Sequence, residues 1–467
     1  MAATPCEKLS ELKLDHTTIT SATNAGTHCR VAGVLAPTDD SHIEFEVWMP
    51  ATGWNGKFQG VGNGGFAGSI EANQLKLAIS KGYAVAACDT GHKAVGTDAK
   101  WALGHPEKVI DFGYRAIHEM TEKGKAITTA FYGEAPKKSY FHSCSNGGRQ
   151  ALMEVQRYPA DYDGVIAGAP ANNWTHLLAE AVSNLRALLD EQASYIPATK
   201  LPAITAAALA ACDMRDSVKD GVIENPAACG FDPTPLLCKD TASDACLTAP
   251  QLAALKKLYD GMRNSKGKLI FPGYSPGGEA EQGGWGAWIT GAAPQRSLMF
   301  AFGTQYYTNM VYEDAAWDFH KFDVDRDLAA SAKKLAGTLD SADPDLKKFR
   351  DRGNKLILYH GWSDAAIPAQ STIDYYQAVE KKMGAKQTGE FVRLYMVPGM
   401  QHCGGGSGCT SYDMQAPIEA WVEQGKAPAE VIASGHNRTH PLCPYPMVAK
   451  YKGTGSTDDA ANFTCGK

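Results

Sequence analysis

The chain has 467 residues, of which 44% are hydrophobic and 21% are charged, and its formal net charge is −6. This length suffices for one large domain with an insertion, or for two to three domains. It excludes a small scaffold that depends on disulfides or metals to fold. The slightly acidic balance, without a run of five or six like charges, argues against nucleic acid or an anionic membrane as a partner.

Strands and helices alternate over the first 170 residues. The apolar spacing predicts, in chain order, an antiparallel-type strand at 43–50, buried strands at 57–65 and 82–91, a helix at 111–133, a strand at 139–145, a helix at 148–159 and a strand at 162–171. This order predicts an α/β fold with a largely parallel sheet and helices on both faces.

The alternation stops near Asn172 and resumes much later. Residues 172–342 contain close-spaced cysteines, alanine-rich helical segments and a stretch rich in glycine and tryptophan. Beyond them the sequence predicts a strand at 355–364, a helix at 371–384, a strand at 391–403 and a helix at 416–425. We therefore expect one α/β core, residues 1–171 and 343–467, interrupted by a lid at 172–342.

The cysteines indicate an oxidising compartment. There are twelve, an even number with several close pairs, as in disulfide-bonded proteins. No apolar run approaches the ~20 residues of a membrane span, and the first ten residues lack the core of a signal peptide. The chain is therefore either cytosolic or a secreted or periplasmic protein without its signal peptide, and the cysteines favour the second. Buried reduced thiols and a zinc site are the alternatives.

A nucleophilic serine is predicted at Ser145. In the G-x-S-x-G turn of hydrolases, the serine lies on a tight strand-to-helix turn where bulky neighbours would clash. Here Ser143 replaces the first glycine, but an apolar strand enters the turn, Gly147 and Gly148 follow, and a helix leaves it. Taken alone, Ser145 would equally fit a helix N-cap.

An acid and a histidine follow in the order that this arrangement requires. A serine attacks only when a histidine removes its proton, and a carboxylate must orient that histidine. Asp364 and His402 each follow a predicted strand, which matches the chain order Ser, Asp, His. Each alone would pass for a solvated loop residue. His360 precedes the acid, so we interpret it as a residue behind the site or in its pocket.

Cysteines stand beside both the candidate serine and the candidate histidine. Cys144 precedes Ser145, and Cys403 follows His402. A disulfide between these two cysteines would limit drift between serine and histidine, and looseness of about 1 Å can cost roughly a hundredfold in rate.

These motifs resemble the tannase and feruloyl esterase family of α/β-hydrolases, which also contains the hydrolase of mono(hydroxyethyl) terephthalate. The resemblance covers almost the whole chain and is carried by CSNGGRQ, YDGVIAGAP, LYHGWSDAAIP, VPGMQHCGGG and PLCPYPMVAKYKGTG. It implies an α/β-hydrolase fold with a mostly parallel central sheet and a large inserted lid. It also implies a triad of Ser145, Asp364 and His402.

The resemblance further implies a set of disulfides. The implied pairs are Cys144–Cys403, Cys6–Cys29, Cys212–Cys229, Cys238–Cys246 and Cys443–Cys465. Cys88 and Cys409 are left over. Because both are predicted to lie just past strand ends on the catalytic face, we expect them to form a sixth bridge.

Two backbone N–H groups are expected to form an oxyanion hole. One belongs to Asn146 and the other to Gly65, where a missing side chain would let a substrate carbonyl approach. A plain hairpin is the alternative, whereas a nucleotide site would need a Gly-Lys-Ser/Thr ending or a Rossmann spacing, which the turn lacks.

Residues 212–229 place three aspartates within eight residues between two cysteines. Calcium binds several carboxylate and carbonyl oxygens, which one turn can supply. The spacing of these aspartates departs from that of an EF-hand. A solvated acidic turn without an ion would have the same sequence pattern. The resemblance implies a structural Ca²⁺ in the lid, held by Asp213, Asp216 and Asp220 and by the carbonyls of Val218 and Val222. No organic cofactor is expected.

Substrate choice is expected to lie mainly in the lid. Flat apolar walls suit aromatic esters, and buried core is the alternative role of any aromatic residue. Arg296 would pair with a substrate carboxylate or form a surface salt bridge. The candidate pocket residues are Trp285, Trp288, Phe300, Phe302, Arg296, Ile367 and His360. Asn146 and Ile367 depart from the residues typical of the family.

The predicted function is that of a secreted serine carboxylesterase that cleaves feruloyl or other aromatic esters through an acyl-enzyme, as a monomer or homodimer. Alternatives within the family are hydrolysis of mono(hydroxyethyl) terephthalate and of galloyl esters. Outside it, the alternatives are an inactive hydrolase fold used for binding and a calcium-dependent carbohydrate-binding protein.

Overall fold

The computed structural model describes residues 3–467. The chain forms two compact units, one comprising the residues to Asn172 together with Leu335–Leu356, and the other comprising Asn173–Lys334 and Ile357–Lys467. The second unit thus contains most of the predicted lid as well as the chain beyond residue 356. The lid boundaries at 172 and 342 stay a prediction.

Fifteen strands are present in the described chain. They are β1 Thr17–Asn24, β2 His28–Leu35, β3 Ile43–Pro50, β4 Lys57–Val61, β5 Ala84–Cys88, β6 Lys138–Cys144, β7 Gly164–Gly168, β8 Met262–Arg263, β9 Leu269–Phe271, β10 Lys355–Gly361, β11 Val392–Val397, β12 Val431–Gly435, β13 Arg438–Leu442, β14 Val448–Tyr451 and β15 Phe463–Gly466.

Fifteen α-helical segments accompany these strands in residues 3–467. They are α1 Ala72–Ser80, α2 Pro106–Ile110, α3 Ala116–Tyr132, α4 Asn146–Arg157, α5 Trp174–Leu189, α6 Leu201–Cys212, α7 Ala249–Asp260, α8 Trp285–Trp288, α9 Leu298–Tyr306, α10 Val324–Ser331, α11 Gly337–Leu339, α12 Lys347–Asp351, α13 Ala369–Met383, α14 Ala385–Thr388 and α15 Gln415–Gln424.

In the first unit, seven strands pair in the order β1-β2-β3-β5-β4-β6-β7. β3 is antiparallel to β2 and β5, whereas β4 is parallel to β5 and β6, and β6 is parallel to β7. β5 and β7 are buried along their whole length, as strands covered on both faces are. The predicted α/β class and the antiparallel strand at 43–50 are confirmed.

β10, most of which belongs to the second unit, and β11 are neighbours in a sheet, and β8–β9, β12–β13 and β14–β15 form two-stranded sheets. Asp364 lies in the loop after β10, and His402 lies in the loop after β11. Both candidate residues therefore follow the strands from which the sequence predicted them to emerge.

One apolar stretch, Gln192–Asp216, is long and apolar enough to cross a membrane by length and composition. The expectation that no apolar run approaches this length overlooked the alanine-rich α6. In the structure the stretch is interrupted, because short 3₁₀ turns at Gln192–Ser194 and Ala198–Lys200 precede α6. A single such stretch is weak evidence for a membrane span.

Candidate active site

Ser145 is the one residue between β6 and α4, and its backbone has an unusual conformation. Its φ is 68° and its ψ is −127°, a region that residues with a side chain rarely adopt. The Ser145 N–H donates to the carbonyl of Gly168 at 2.9 Å, and its own carbonyl accepts from the N–H of Arg149 at 3.0 Å. A strained turn between a strand and a helix is the geometry of a nucleophile elbow.

The glycines after Ser145 are required by packing. A Cβ on Gly147 would lie 1.9 Å from Ser143 Oγ, and one on Gly148 would lie 2.3 Å from the carbonyl oxygen of Gly168. Since Cβ atoms do not approach other atoms this closely, any larger residue would push the first turn of α4 away from β6 and β7. The two glycines thus allow the first turn of α4 to pack closely against β6 and β7.

Arg149, whose role was not predicted from the sequence, holds Asn146 in place. Its guanidinium is fully buried and donates from Nε to Asn146 Oδ1 at 2.8 Å. Its terminal nitrogens donate to the carbonyls of Phe112, Gly113 and Leu339. Burial lowers the pKa of Arg149 to about 9. This network fixes the residue whose backbone N–H is the first candidate oxyanion donor.

Gln150, also missed, joins the helix to the glycine turn after β4. Asn63 N–H donates to Gln150 Oε1 at 3.0 Å, and Gln150 Nε2 donates to Asn63 Oδ1 at 3.0 Å. Asn63 Nδ2 donates in turn to the carbonyl of Cys88 at 2.6 Å. The one available signal for Arg149 and Gln150 was their place in the motif CSNGGRQ.

Gly65 is a glycine for a reason other than the expected one. It has a φ of +56°, and a Cβ there would lie 2.3 Å from the carbonyl oxygen of Gly96. The same carbonyl accepts the N–H of Phe66 at 2.7 Å. The close approach that excludes a side chain is therefore made by the protein's own backbone. The part of Gly65 in an oxyanion hole remains a prediction.

Asp364 and His402 are directly hydrogen-bonded. His402 Nδ1 lies 2.8 Å from Asp364 Oδ2, and Asp364 is only 2% exposed. The amides of Ala366 and Ile367 donate to Oδ1 at 2.8 and 2.9 Å. Burial alone would raise the pKa of Asp364, but His402 and His360 outweigh it and hold that pKa well below its usual range. The carboxylate is therefore ionised at neutral pH.

His360 lies behind Asp364 and is not a pocket residue. Its side chain has no exposed surface. Nε2 lies 3.2 Å from Asp364 Oδ2 and 3.1 Å from the carbonyl oxygen of Ile367, and Nδ1 lies 2.7 Å from Thr372 Oγ1. The expectation that His360 binds substrate is corrected accordingly, since a ring enclosed on all sides cannot touch a ligand.

The candidate pocket residues have different environments in the second unit. The ring of Trp288 meets that of His402 edge-on with centroids 5.0 Å apart, and Phe302 stacks on Trp288. Trp285 is core, packed against Tyr259 and Tyr274. The remaining candidates are Phe300, which packs against Phe319, Ile367, which is buried, and Arg296, which is exposed. Trp288 is thus the aromatic candidate placed beside the histidine.

The aspartate loop is folded by its own carboxylates. Asp216 Oδ1 accepts the N–H of Val218, Asp220 Oδ1 accepts that of Val222, and Asp213 accepts those of Asp220 and Gly221. Asp216, Val218, Asp220 and Val222 line a cavity of about 20 Å³. Burial, with the nearby carboxylates, raises the pKa of Asp216 to about 6. The carboxylate oxygens at this cavity are the donor type that a hard cation prefers.

Two residues at this loop were not foreseen from the sequence. Glu224 adds a carboxylate to the cavity lining, and Arg438 donates to Asp220 Oδ2 at 2.7 Å. His440 lies 3.0 Å from the carboxylate of Glu224. The residue that departs from the predicted set is Asp213, which does not line the cavity and instead binds backbone amides.

Ten cysteines in residues 3–467 are disulfide-bonded. Four bridges join the pairs that the resemblance implied, Cys6–Cys29, Cys212–Cys229, Cys238–Cys246 and Cys443–Cys465. Cys144 and Cys403 are also disulfide-bonded.

The expected bridge between Cys88 and Cys409 is wrong. Both residues are free, buried thiols. Each contacts backbone carbonyls of its own unit, Cys88 that of Ala116 and Cys409 those of Gly435 and Arg438. The end of a predicted strand indicates at which edge of the sheet a residue lies. It does not indicate which other side chains that residue contacts.

Comparisons with known proteins identify the family of the chain. Residues 29–466 match the family described as tannase and feruloyl esterase. The chain is 40% identical to an uncharacterized esterase of Xanthomonas campestris pv. campestris, over 99% of this chain and 91% of that protein. It is 36% identical to the mono(2-hydroxyethyl) terephthalate hydrolase of Piscinibacter sakaiensis, over 94% of this chain and 84% of that protein.

A solved structure is similar over the same extent. The crystal structure of feruloyl esterase B from Aspergillus oryzae matches with a TM-score of 0.90 and 27% identity, covering 99% of this chain and 100% of that chain. The fold is therefore that of an α/β-hydrolase. The chain belongs to the tannase and feruloyl esterase family and is a carboxylic ester hydrolase.

Proposed function

We propose that the chain is a secreted serine esterase that hydrolyses esters of aromatic carboxylic acids, with feruloyl and other hydroxycinnamoyl esters as its substrates. The observation that carries the proposal is the hydrogen bond from His402 Nδ1 to the buried, ionised Asp364. An imidazole that donates from Nδ1 to a carboxylate presents an unprotonated Nε2, the form that accepts a proton from a serine hydroxyl.

In this mechanism Ser145 Oγ attacks the ester carbonyl while His402 Nε2 takes its proton. The backbone N–H groups of Gly65 and Asn146 stabilise the negative charge that develops on the carbonyl oxygen. The C–O bond then breaks, His402 returns the proton to the leaving alcohol, and the acyl group stays on Ser145. Water, deprotonated by His402, then attacks the acyl-enzyme. The bond to Ser145 Oγ breaks, Oγ takes the proton back from His402, and the carboxylic acid leaves.

The two remaining disulfide-bonded cysteines support this arrangement. We assign their bond to each other, Cys144 to Cys403, because they directly flank Ser145 and His402. Such a bridge would fix the distance between nucleophile and base. A protein with ten disulfide-bonded cysteines also fits an oxidising compartment, which supports secretion.

Trp288, beside His402, supports an aromatic substrate because an indole offers a flat apolar wall. The names of the relatives give two candidate acids, since one acts on a terephthalate monoester and another is a feruloyl esterase. Arg296 would favour a substrate with a free carboxylate, such as the terephthalate monoester. Galloyl esters are the third candidate.

Calcium is proposed as a structural ion of the aspartate loop. It would be held by Asp216 and Asp220 and by the carbonyls of Val218 and Val222, which line the cavity together with Glu224. Asp213, outside that lining, would support the loop through the amides of Asp220 and Gly221. The ion would neutralise carboxylates that lie close together and would stabilise the loop. It has no part in the chemistry.

The test is Ser145→Ala against Ser143→Ala, with hydrolysis of methyl ferulate as the readout. Ser145→Ala should abolish turnover, whereas Ser143→Ala, two residues away on β6, should keep activity within about tenfold because its hydroxyl is not the nucleophile. Full turnover by a folded Ser145→Ala would refute the assignment. Comparing kcat/KM on methyl ferulate, methyl gallate and the terephthalate monoester then ranks the three acyl groups.

A further inference from the structure

A second group of ionisable side chains lies at the other end of α4 from Ser145. His118 of α3, Glu154 of α4 and Asp161, in the loop before β7, bring one nitrogen and two carboxylate oxygens within 4.8 Å of one another. Glu154 comes nine residues after Ser145, which is roughly 13 Å along a helix. The group is therefore separate from the proposed active site.

Glu154 has no protein partner for its charge. It is 1% exposed, and neither of its side-chain oxygens accepts a hydrogen bond from the residues that the structure describes. Burial, and then the nearby Asp161, raise the pKa of Glu154 well above its usual value. Since an unpaired buried carboxylate is costly, this group requires either a proton or a cation.

Lys125 does not meet that requirement. Its ammonium donates to the backbone carbonyl of Asp161, not to either carboxylate. Burial also lowers the pKa of Lys125. The ammonium of Lys125 is thus hydrogen-bonded elsewhere, although its charge lowers the pKa of Glu154 in part.

The His118 ring is held in a fixed orientation near the surface. Nδ1 lies 2.7 Å from Asp161 Oδ2, and the ring stacks on Tyr158 with centroids 3.7 Å apart. The side chain is 22% exposed, and its Nε2 lies 3.9 Å from the more exposed carboxylate of Glu122. An ion can therefore reach the group from solvent past a carboxylate that attracts cations.

We propose that His118, Glu154 and Asp161 bind one divalent transition-metal ion, with Zn²⁺ the best match. Imidazole nitrogen and carboxylate oxygen are both Zn²⁺ ligands, at about 2.0–2.2 Å, and water would complete four-coordination around these three side chains. Ca²⁺ fits poorly because it takes six to eight oxygen ligands. Binding would displace the proton held by the two carboxylates and would fasten α3 to α4.

The test is Zn²⁺ binding to the full chain, stripped of metal and then dialysed against Zn²⁺ with excess Ca²⁺ present to saturate the aspartate loop. Mass spectrometry of the metal content should give one Zn²⁺ per chain. His118→Gln and Glu154→Gln should each weaken binding by at least about tenfold. The matched control Glu122→Gln, on the same face of α3 but outside the ligand set, should bind within about threefold of wild type.

Co²⁺ provides a second readout that does not depend on activity. Bound Co²⁺ should give a visible absorption band in the wild type, and His118→Gln should abolish this band. If Glu154→Gln fails to fold, His118→Gln alone tests whether the proposed ligands bind the ion. Absence of stoichiometric Zn²⁺, or Zn²⁺ that both ligand variants retain, would overturn the proposal. A carboxylic-acid infrared band at neutral pH that Glu154→Gln removes, but that Zn²⁺ leaves unchanged in the wild type, would show that the carboxylates share a proton only, and would overturn it as well.

Discussion

His360 Nε2 lies 3.2 Å from Asp364 Oδ2, the same oxygen that His402 Nδ1 meets at 2.8 Å. One carboxylate oxygen thus serves two imidazoles. The Ile367 carbonyl can only accept from Nε2, and the Thr372 hydroxyl can then donate to Nδ1, so the surroundings fix the tautomer. We infer that His360 positions Asp364 and does not exchange protons with substrate.

Replacing His360 with Phe should therefore lower kcat on methyl ferulate by about 10- to 100-fold while leaving KM within a few-fold. The ring volume is kept, but Asp364 loses one donor and gains freedom to rotate away from His402. Thr372→Val, which removes only the partner of Nδ1, should give a smaller loss. Unchanged kcat in a folded His360→Phe would show that Asp364 needs no support from this side.

The proposed bridge between Cys144 and Cys403 predicts a specific effect of its removal. The double variant Cys144→Ala/Cys403→Ala should lose about 10- to 100-fold in kcat/KM, because serine and histidine are no longer held in register. The matched control Cys238→Ala/Cys246→Ala lacks a bridge within the second unit and should keep kcat near wild type. Equal activity of both double variants would contradict the positioning role.

Calcium removal should affect stability and not chemistry. A chelator should lower the melting temperature, because an ion at about 100 times its dissociation constant contributes about 3 kcal/mol to the folded state. Asp216→Asn should melt like the chelated wild type and should not respond to added Ca²⁺. Asp240→Asn, which alters an exposed acid of the same unit, should retain the response. A chelator-insensitive wild type would argue against the ion.

Asp89 should make stability depend on pH. It follows β5, is buried, and accepts the amides of Glu44 and Gly91 on Oδ1, while Oδ2 has no donor among the described residues. Burial raises its pKa to about 7. The folded state therefore holds a proton that the unfolded chain releases near pH 4, and stability is lost as pH rises from about 4 to about 7.

The expected loss is about 4 kcal/mol, from about three pH units at 1.36 kcal/mol each. Urea unfolding of the wild type and of Asp89→Asn at a series of pH values measures it. The variant keeps the accepting oxygen and does not titrate, so the difference in unfolding free energy between the two proteins should change over this window. Parallel curves would show that Asp89 is ionised in the folded protein.

The α/β core was predictable because its signals are local. Buried strands at 57–65 and 82–91 are runs of apolar residues that end in glycine, and the turn at Ser145 is a short strand followed by small residues and a helix. Asp364 and His402 follow strands for the same reason. By contrast, β1 and β2 at the edge of the sheet carry mixed polar sequences that gave no expectation.

The parts that could not be predicted depend on partners distant in sequence. Arg149 looks like a surface residue of an amphipathic helix, yet it is buried because carbonyls at 112, 113 and 339 converge on it. The sequence predicts that Gly65 lacks a side chain so that a ligand can approach. The structure shows that the Gly96 carbonyl, 31 residues further along the chain, leaves no room for one. The free thiols of Cys88 and Cys409 show the same limit.

The complete burial of Asn146–Val155 bears on how such an esterase can be diversified. Added volume at such buried positions typically costs about 1–3 kcal/mol, so random libraries that include these ten positions would be enriched in destabilised variants. Directed evolution of acyl preference is better confined to partly exposed lid positions such as Trp288 and Phe302. The helix that follows the proposed nucleophile is then kept unchanged while the proposed pocket residues vary.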